Sequence, residues 1–204
     1  VVVGVPDIPF PMTVISRDRP DGQPTVASIS ISARIMQEFE ARWIDRFVQI
    51  VHAHREYIGT ATLRRNIMDY VEALHATTVR IDFAYPFFIE KRTPVSNEPC
   101  LVRYLCTYAC KAWSLGGEPK IIFRCQVPCI TTYPISDPQQ PGGLFGQLSV
   151  VDIEVESKED IYPQELVDLV DRHAVAPVYS YMAEADQIEV IHRVHSVHRT
   201  SVET

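Results

Sequence analysis

Between Thr25 and Arg34 the chain reads Thr-Val-Ala-Ser-Ile-Ser-Ile-Ser-Ala-Arg, apolar and small polar residues alternating with period two. That period turns one face of a strand toward a core and the other away from it. Met12 to Ser16 can pair with this strand through Asp18-Arg19-Pro20-Asp21-Gly22, where Pro and Asp-Gly supply turn chemistry. From Ile44 the period changes. Ile44, Phe47, Val48 and Val51 fall at i, i+3, i+4 and i+7, one stripe of an amphipathic helix. Leu63, Ile67, Tyr70, Val71 and Leu74 form a second helical stripe, with Gly59 the break and Thr60 the expected N-cap.

Three strand-like runs follow, Thr78 to Glu90, Leu101 to Trp113 and Lys120 to Thr132, the last two joined as a hairpin by Leu115-Gly116-Gly117-Glu118-Pro119. Tyr133 to Gly146 contains Pro134, Pro138, Pro141 and Gly142-Gly143 and reads as a long loop, a class of segment that is more often functional than idle. Gln147 to Glu156 predicts a strand, Pro163 to His173 a helix with Pro in its first turn, and Gln187 to Val197 a closing strand. This order predicts an α+β fold with antiparallel sheets and helices on one face, without short repeats or low-complexity segments. Residues 1–204 read as a single unit, or as two fused halves of about 1–113 and 114–204.

With 204 residues, 46% hydrophobic and 22% charged, the chain can bury a sizeable core. A net charge of -7 with scattered Lys and Arg offers no basic stripe, which argues against a nucleic-acid partner. Of five cysteines, Cys100, Cys106, Cys110 and Cys125 sit in or beside apolar strand-like runs, as buried reduced thiols do, so a reducing cytoplasm is expected. No apolar run reaches 18 residues, and Val1 to Val5 is too short for a signal sequence; a start at Val1 leaves room for preceding residues.

The strand from Thr78 leaves through Tyr85-Pro86-Phe87-Phe88-Ile89-Glu90-Lys91 into Arg92-Thr93-Pro94-Val95-Ser96. This resembles the strand exit of type IB GTP cyclohydrolases, a Phe-Pro-Tyr-Phe-Ile-Glu-Lys run leading to Ala-Pro-Val-Ser-Gly. Arg46-Phe47-Val48 with Ile50-Val51 is similar to that family's Ser-Arg-Phe-Val-Glu-Ile-Leu helix, Val26-Ala27 to the start of its first long strand, and Glu165 to Val170 with Ala174 and Tyr179 to its late helix and the segment after it. The resemblance implies the tunnelling fold: antiparallel sheets with two helices on one face, and chains assembled as dimers or tetramers into barrels with active sites between subunits.

In that family a cation-bound water attacks the purine, because the cation lowers the pKa of its water and supplies hydroxide at neutral pH. Its thiolate ligand lies in Leu-Cys-Pro-Cys-Ser after Val-Pro; here Val127-Pro128 leads to Thr132-Tyr133-Pro134-Ile135-Ser136. The next motif, two histidines around Asn-Gln-Arg-Ser, becomes Phe145 to Val150 and keeps Gln147 and Ser149. The family's metal-binding Glu falls on Pro177, its purine-anchoring Glu on His192, and a strand His on Arg80.

These departures imply no metal and no cofactor, and a metal-independent enzyme repurposed to cyclise, isomerise or hydrate a small polar or heterocyclic metabolite. His192 and Tyr133 are the expected proton-transfer groups and Cys129 a candidate nucleophile activated by a neighbouring cation. Arg46, Arg80, Gln147, Ser149 and Glu90 are the expected substrate-binding groups. The alternatives are a non-catalytic binding or assembly subunit, and a GTP cyclohydrolase with relocated metal ligands. Arg80 also reads as a structural ion-pair partner of Glu72 or Asp82, and Arg46 as a helix-packing residue. His192, His195 and His198 recur every third residue, and His52 and His54 lie together, but on a strand His195 would face away from the other two. Cys125 and Cys129 share a strand face about 14 Å apart, too far for one ion.

Overall fold

The computed structural model describes residues 1–39, 41–132 and 146–196. Seven strands form a mixed-length sheet in the order β1-β2-β3-β4-β5-β6, with β7 pairing β5. They are β1 (Val2–Val14), β2 (Gln23–Ile35), β3 (Ala76–Arg92), β4 (Pro99–Trp113), β5 (Lys120–Thr132), β6 (Gly146–Glu156) and β7 (Ala176–Pro177). The helices are α1 (Trp43–Ala53), α2 (Thr60–Ala73), α3 (Pro163–His173) and α4 (Glu184–Ser196). The expected α+β class with an antiparallel sheet is the one observed, and β1 runs ten residues further toward the start than Met12 suggests. The chain divides into two compact units: Val1–Phe87 with Leu105–Cys125 and Glu154–Pro163, and Phe88–Tyr104 with Gln126–Ile153 and Gln164–Thr204.

In the first unit alternation sets the core. Ala27, Ile29, Ile31, Ala33 and Ile35 of β2 and Val79, Ile81, Phe83, Tyr85 and Phe87 of β3 are buried. Phe47 and Val51 of α1 and Leu63, Ile67, Tyr70 and Val71 of α2 are buried too, and the Tyr70 phenol lies close enough to Cys110 of β4 to feel its charge. Each such Ile, Leu or Phe contributes about 1.5–3 kcal/mol relative to exposure. Val48 of the predicted α1 stripe is instead exposed, so Phe47 and Val51 carry that helix.

Thr60 is not the N-cap of α2. Gly59 holds that position with extended backbone, and Thr60 is the buried first helical residue. The capping acceptor is supplied from far along the chain: the Ala61 N–H donates to Asp160 Oδ1 at 2.9 Å, across 99 residues. A carboxylate there also opposes the positive end of the helix dipole. Gly59 is required by this approach, since a Cβ would stand 2.7 Å from Asp160 Oδ1 and 2.8 Å from Ile15 Cδ1.

In the second unit, residues 187 to 196 belong to α4 and do not form a strand, correcting the expected closing strand. Ile188, Val190 and Val194 mimic period two. However, Gln187 N–H donates to the Ala183 carbonyl at 3.0 Å, and Ala183 N–H to Asp186 Oδ2 at 3.1 Å, the reciprocal half of a capping box. Val190 and Val194, one turn apart, then pack against Val175 and Ala176 with Ile130, Tyr179 and Met182, while Ile188 and Ile191 stay exposed.

Asp160→Ala is expected to lower stability by about 1 kcal/mol, a fall of roughly 2–4 °C in thermal midpoint for a chain of this size. Gly59→Ala should lower the midpoint as well, by displacing the same carboxylate. Thermal unfolding followed by circular dichroism decides; unchanged midpoints in both variants would rule out Asp160 as the cap.

Candidate active site

The face of β2 and β3 turned away from the helices carries Ser28, Ser30 and Ser32 opposite Ala84, Asp82 and Arg80, pairs fixed by the antiparallel register. β1 closes over part of this face. Its register shifts between Val5 and Ile8, and Asp7 takes the left-handed region at φ 54°, which Asp tolerates better than most residues. Asp7 N–H donates to Ser30 Oγ at 3.1 Å, and Ser28 Oγ donates to Asp7 Oδ1 at 3.0 Å, pinning the bulge. Gly4 allows the close approach, because a Cβ would meet the Ile31 carbonyl at 2.7 Å. The result is a groove of about 390 Å³, lined by Gly4, Val5 and Pro6 of β1, Ser30 to Ser32 of β2, and Arg80 and Asp82 of β3. Within it Arg80 Nε lies 3.3 Å from Asp82 Oδ2.

A second cluster lies in the other unit. Lys91 Nζ donates to Asp171 Oδ2 at 2.5 Å, with both side chains largely buried, and stands 5.5 Å from the centre of the Tyr104 ring. Burial raises the Asp171 carboxyl above its ordinary range, with the Lys91 ammonium opposing. The Asp171 charge in turn adds to burial in raising the Cys129 thiol and the Tyr179 phenol. Beside it, Asp186 ties the segment after β3 to α4: its carboxylate accepts from Val95 N–H, Ser96 N–H, Ser96 Oγ and Ala183 N–H at 2.6–3.1 Å. Although burial pushes the carboxyl up, the hydrogen bonds win and hold its pKa at about 2.

The candidate residues are dispersed among these settings. Arg80 lines the groove, whereas Arg46 Nη1 donates to the Ala73 carbonyl at 3.4 Å and so joins α1 to the end of α2. Cys129 is buried on β5 and pairs with Pro177 of β7, and burial, with the Asp171 charge, pushes its thiol up. Ser149 Oγ is 2.8 Å from Thr131 Oγ1, and the Gln147 carbonyl accepts from the same hydroxyl at 3.4 Å. Glu90 is exposed and 3.5 Å from Arg92. His192 is exposed on α4, and on a helix it and His195 lie one turn apart. Tyr133 and His198 lie outside the described residues. Lys91, Asp171 and Asp186 were not singled out by the sequence reading, which weighed Asp82 only as an ion-pair partner of Arg80. Only Lys91 stood in a recognised motif, and nothing local marks an Asp whose partners are 80 or 90 residues away.

Among the described residues no three His, Cys, Asp or Glu side chains converge as an ion needs.

An antiparallel α+β chain with a groove that is mainly apolar but carries a guanidinium, a carboxylate and hydroxyls has the makings of a small-molecule site. The sequence model of the type I GTP cyclohydrolase folE2 family matches residues 2–200, and the chain belongs to that family. It is similar to GTP cyclohydrolase FolE2 of Geobacter metallireducens, 30% identical over 193 residues that cover 95% of this chain and 72% of the relative. The corresponding protein of Geobacter sp. strain M21 is 28% identical over 193 residues, covering 95% and 71%. That of Nitratidesulfovibrio vulgaris is 29% identical over 187 residues, covering 91% and 70%. These matches overturn the expectation of a repurposed, metal-independent cyclase, isomerase or hydratase: the relatives share one enzyme name across nearly the whole chain. No helix among the described residues is long and apolar enough to cross a membrane.

Two predictions follow from the charged groups. Asp186 has a folded pKa below its ordinary 3.8, so its stabilisation is present above that value and lost as pH falls toward about 2. Asp186→Asn should lower the thermal midpoint at neutral pH and flatten its decline over that acid range; an acid limb identical to that of the native protein would remove Asp186 as its cause. Lys91→Met should cost about 3 kcal/mol by stranding a buried carboxylate, with Lys91→Met/Asp171→Leu recovering most of it. Urea unfolding of the double-mutant cycle measures this, and a single-variant loss under about 0.5 kcal/mol would mean the pair is solvated.

Proposed function

We propose that this chain is a GTP cyclohydrolase of the type IB branch, opening the imidazole ring of GTP by hydrolysis at C8. The supporting observation is the family match across residues 2–200 together with relatives that carry that activity in their names. The tunnelling fold is the companion proposal, favoured by an antiparallel sheet with two consecutive helices, α1 and α2, inserted between β2 and β3. Assembly into a homo-oligomer with sites between subunits is favoured by β6, a strand at the end of the sheet order with Leu148, Val150 and Val151 exposed. Such an edge is ready to pair with another chain. Five free, buried thiols suit a reducing compartment.

In this reading His192, exposed on α4, is the group that moves protons. Arg80, Gln147 and Ser149 orient the nucleotide, and Tyr133 and Glu90 stand at neighbouring motif positions. Breaking both C–N bonds at C8 frees that carbon as formate, which makes GTP labelled at C8 the direct probe. Labelled formate is expected from the purified protein assayed with zinc, manganese, iron or magnesium supplied in turn; none under any of these conditions would refute the activity. His192→Ala should lower kcat by about 100-fold or more, with an unchanged thermal midpoint because the side chain is exposed.

A further inference from the structure

Cations gather on the open face of the first unit. Ser32 and Arg34 of β2 alternate with the buried Ile31, Ala33 and Ile35, so both point away from the core. The register sets Ser32 opposite Arg80 and Arg34 opposite Thr78. Lys111 of β4 lies between the buried Cys110 and Ala112 and so points to the same side as Arg80. Ser114 N–H donates to the Thr77 carbonyl at 3.1 Å, and three residues further along each strand of that antiparallel pair Lys111 stands opposite Arg80. Ser32, Arg80 and Lys111 therefore form one row across three adjacent strands, spaced by about 4.8 Å, with Arg34 two residues further along β2. The row is assembled from separate strands and leaves no basic run in the sequence.

Acids neutralise these cations only in part. Asp82 Oδ2 takes the Nε edge of Arg80 at 3.3 Å, and the terminal amines, on a side chain that is 65% exposed, lie outside that bond. Among the described residues no carboxylate pairs with Arg34 or Lys111, and the Lys111 ammonium rests 5.2 Å from the centre of the Trp113 ring. Like charges directly opposite one another destabilise a sheet, and an anion between them reverses the sign. A lone carboxylate would occupy one guanidinium fork, whereas three cations in succession match linked phosphates that each carry charge.

We propose that this row binds a polyphosphate chain, with the Arg80 terminal amines, Lys111 and Arg34 donating to phosphate oxygens and the Ser32 hydroxyl beside them. The triphosphate of a nucleotide and free inorganic polyphosphate present the same chemistry, and both fit the row whatever reaction the chain catalyses.

Inorganic tripolyphosphate, titrated calorimetrically into the purified protein without added metal, is the probe. The native protein is expected to bind it with an affinity that falls as sodium chloride is raised. Arg80→Gln, Lys111→Gln and Arg34→Gln should each weaken binding about tenfold. Lys158→Gln, which removes an exposed cation already paired with Glu118, should leave it unchanged. All four side chains are exposed, so native thermal midpoints are expected and exclude misfolding. No binding by the native protein, native affinity in the three row variants, or an equal loss in Lys158→Gln would overturn the site. KM for GTP in Lys111→Gln and Arg34→Gln then identifies the source: a rise of about tenfold makes the substrate's own triphosphate the occupant, and a native value makes it free polyphosphate. Tripolyphosphate binding without GTP turnover would refute the cyclohydrolase reading and leave the row intact.

Discussion

A strand can bury only every second side chain, and here that rule places the chemistry as much as the core. Ile31 faces Ile81 across β2 and β3, both buried, so Ser30 must face Asp82 and Ser32 must face Arg80 on the opposite side. A slip of one residue would carry a guanidinium and a carboxylate into the layer beneath α1 and α2, where an unpaired charge costs many times what any single contact returns. The helical stripes led by Phe47 and Ile67 therefore lock the register on one face, and the locked register composes the groove on the other. The bulge at Asp7 belongs to the same constraint: an extra residue in β1 bends it over Ser30 without disturbing the buried row.

Carboxylates then join what the sheet leaves apart in sequence, and each is tuned by its partners. Asp160 accepts from the first turn of α2, Asp186 from four donors, and Asp171 from a single ammonium. The count of donors sets the direction of the shift. Four donors outweigh the burial of Asp186 and lower its pKa, whereas one leaves desolvation of Asp171 in control and raises it. The same contrast separates anchor from reactive neighbour. Asp186 is saturated and holds the segment after β3 to the start of α4, while Cys129 and Tyr179 are raised first by burial and then by the charge of Asp171.

What the chain discloses by itself follows from which interactions are local. Lys120 to Thr132 and Pro163 to His173 match β5 and α3 residue for residue, because period and flanking Pro or Gly act within a few positions. Residues 187 to 197 failed because β-branched residues at 188, 190 and 194 satisfy both periods. The deciding groups, the Asp186 carboxylate and the apolar seat of Val175 and Ala176, are a capping bond and a tertiary contact. Thr60 was misread as a cap for a related reason, since the true acceptor, Asp160, lies 99 residues on. In the candidate site, Arg80 was legible because a strand His of the resembled family falls on it. Asp82 beside it was considered only as a structural partner, because an acceptor without a donor is a property of the folded neighbourhood.

That pair is where stability and recognition part. An Arg80 side chain that is 65% exposed gains little from its carboxylate, since solvent screens such bridges to about 0–1 kcal/mol. Burying Asp82 Oδ1 without a donor costs at least as much. Folding alone therefore gives little net return for this arrangement.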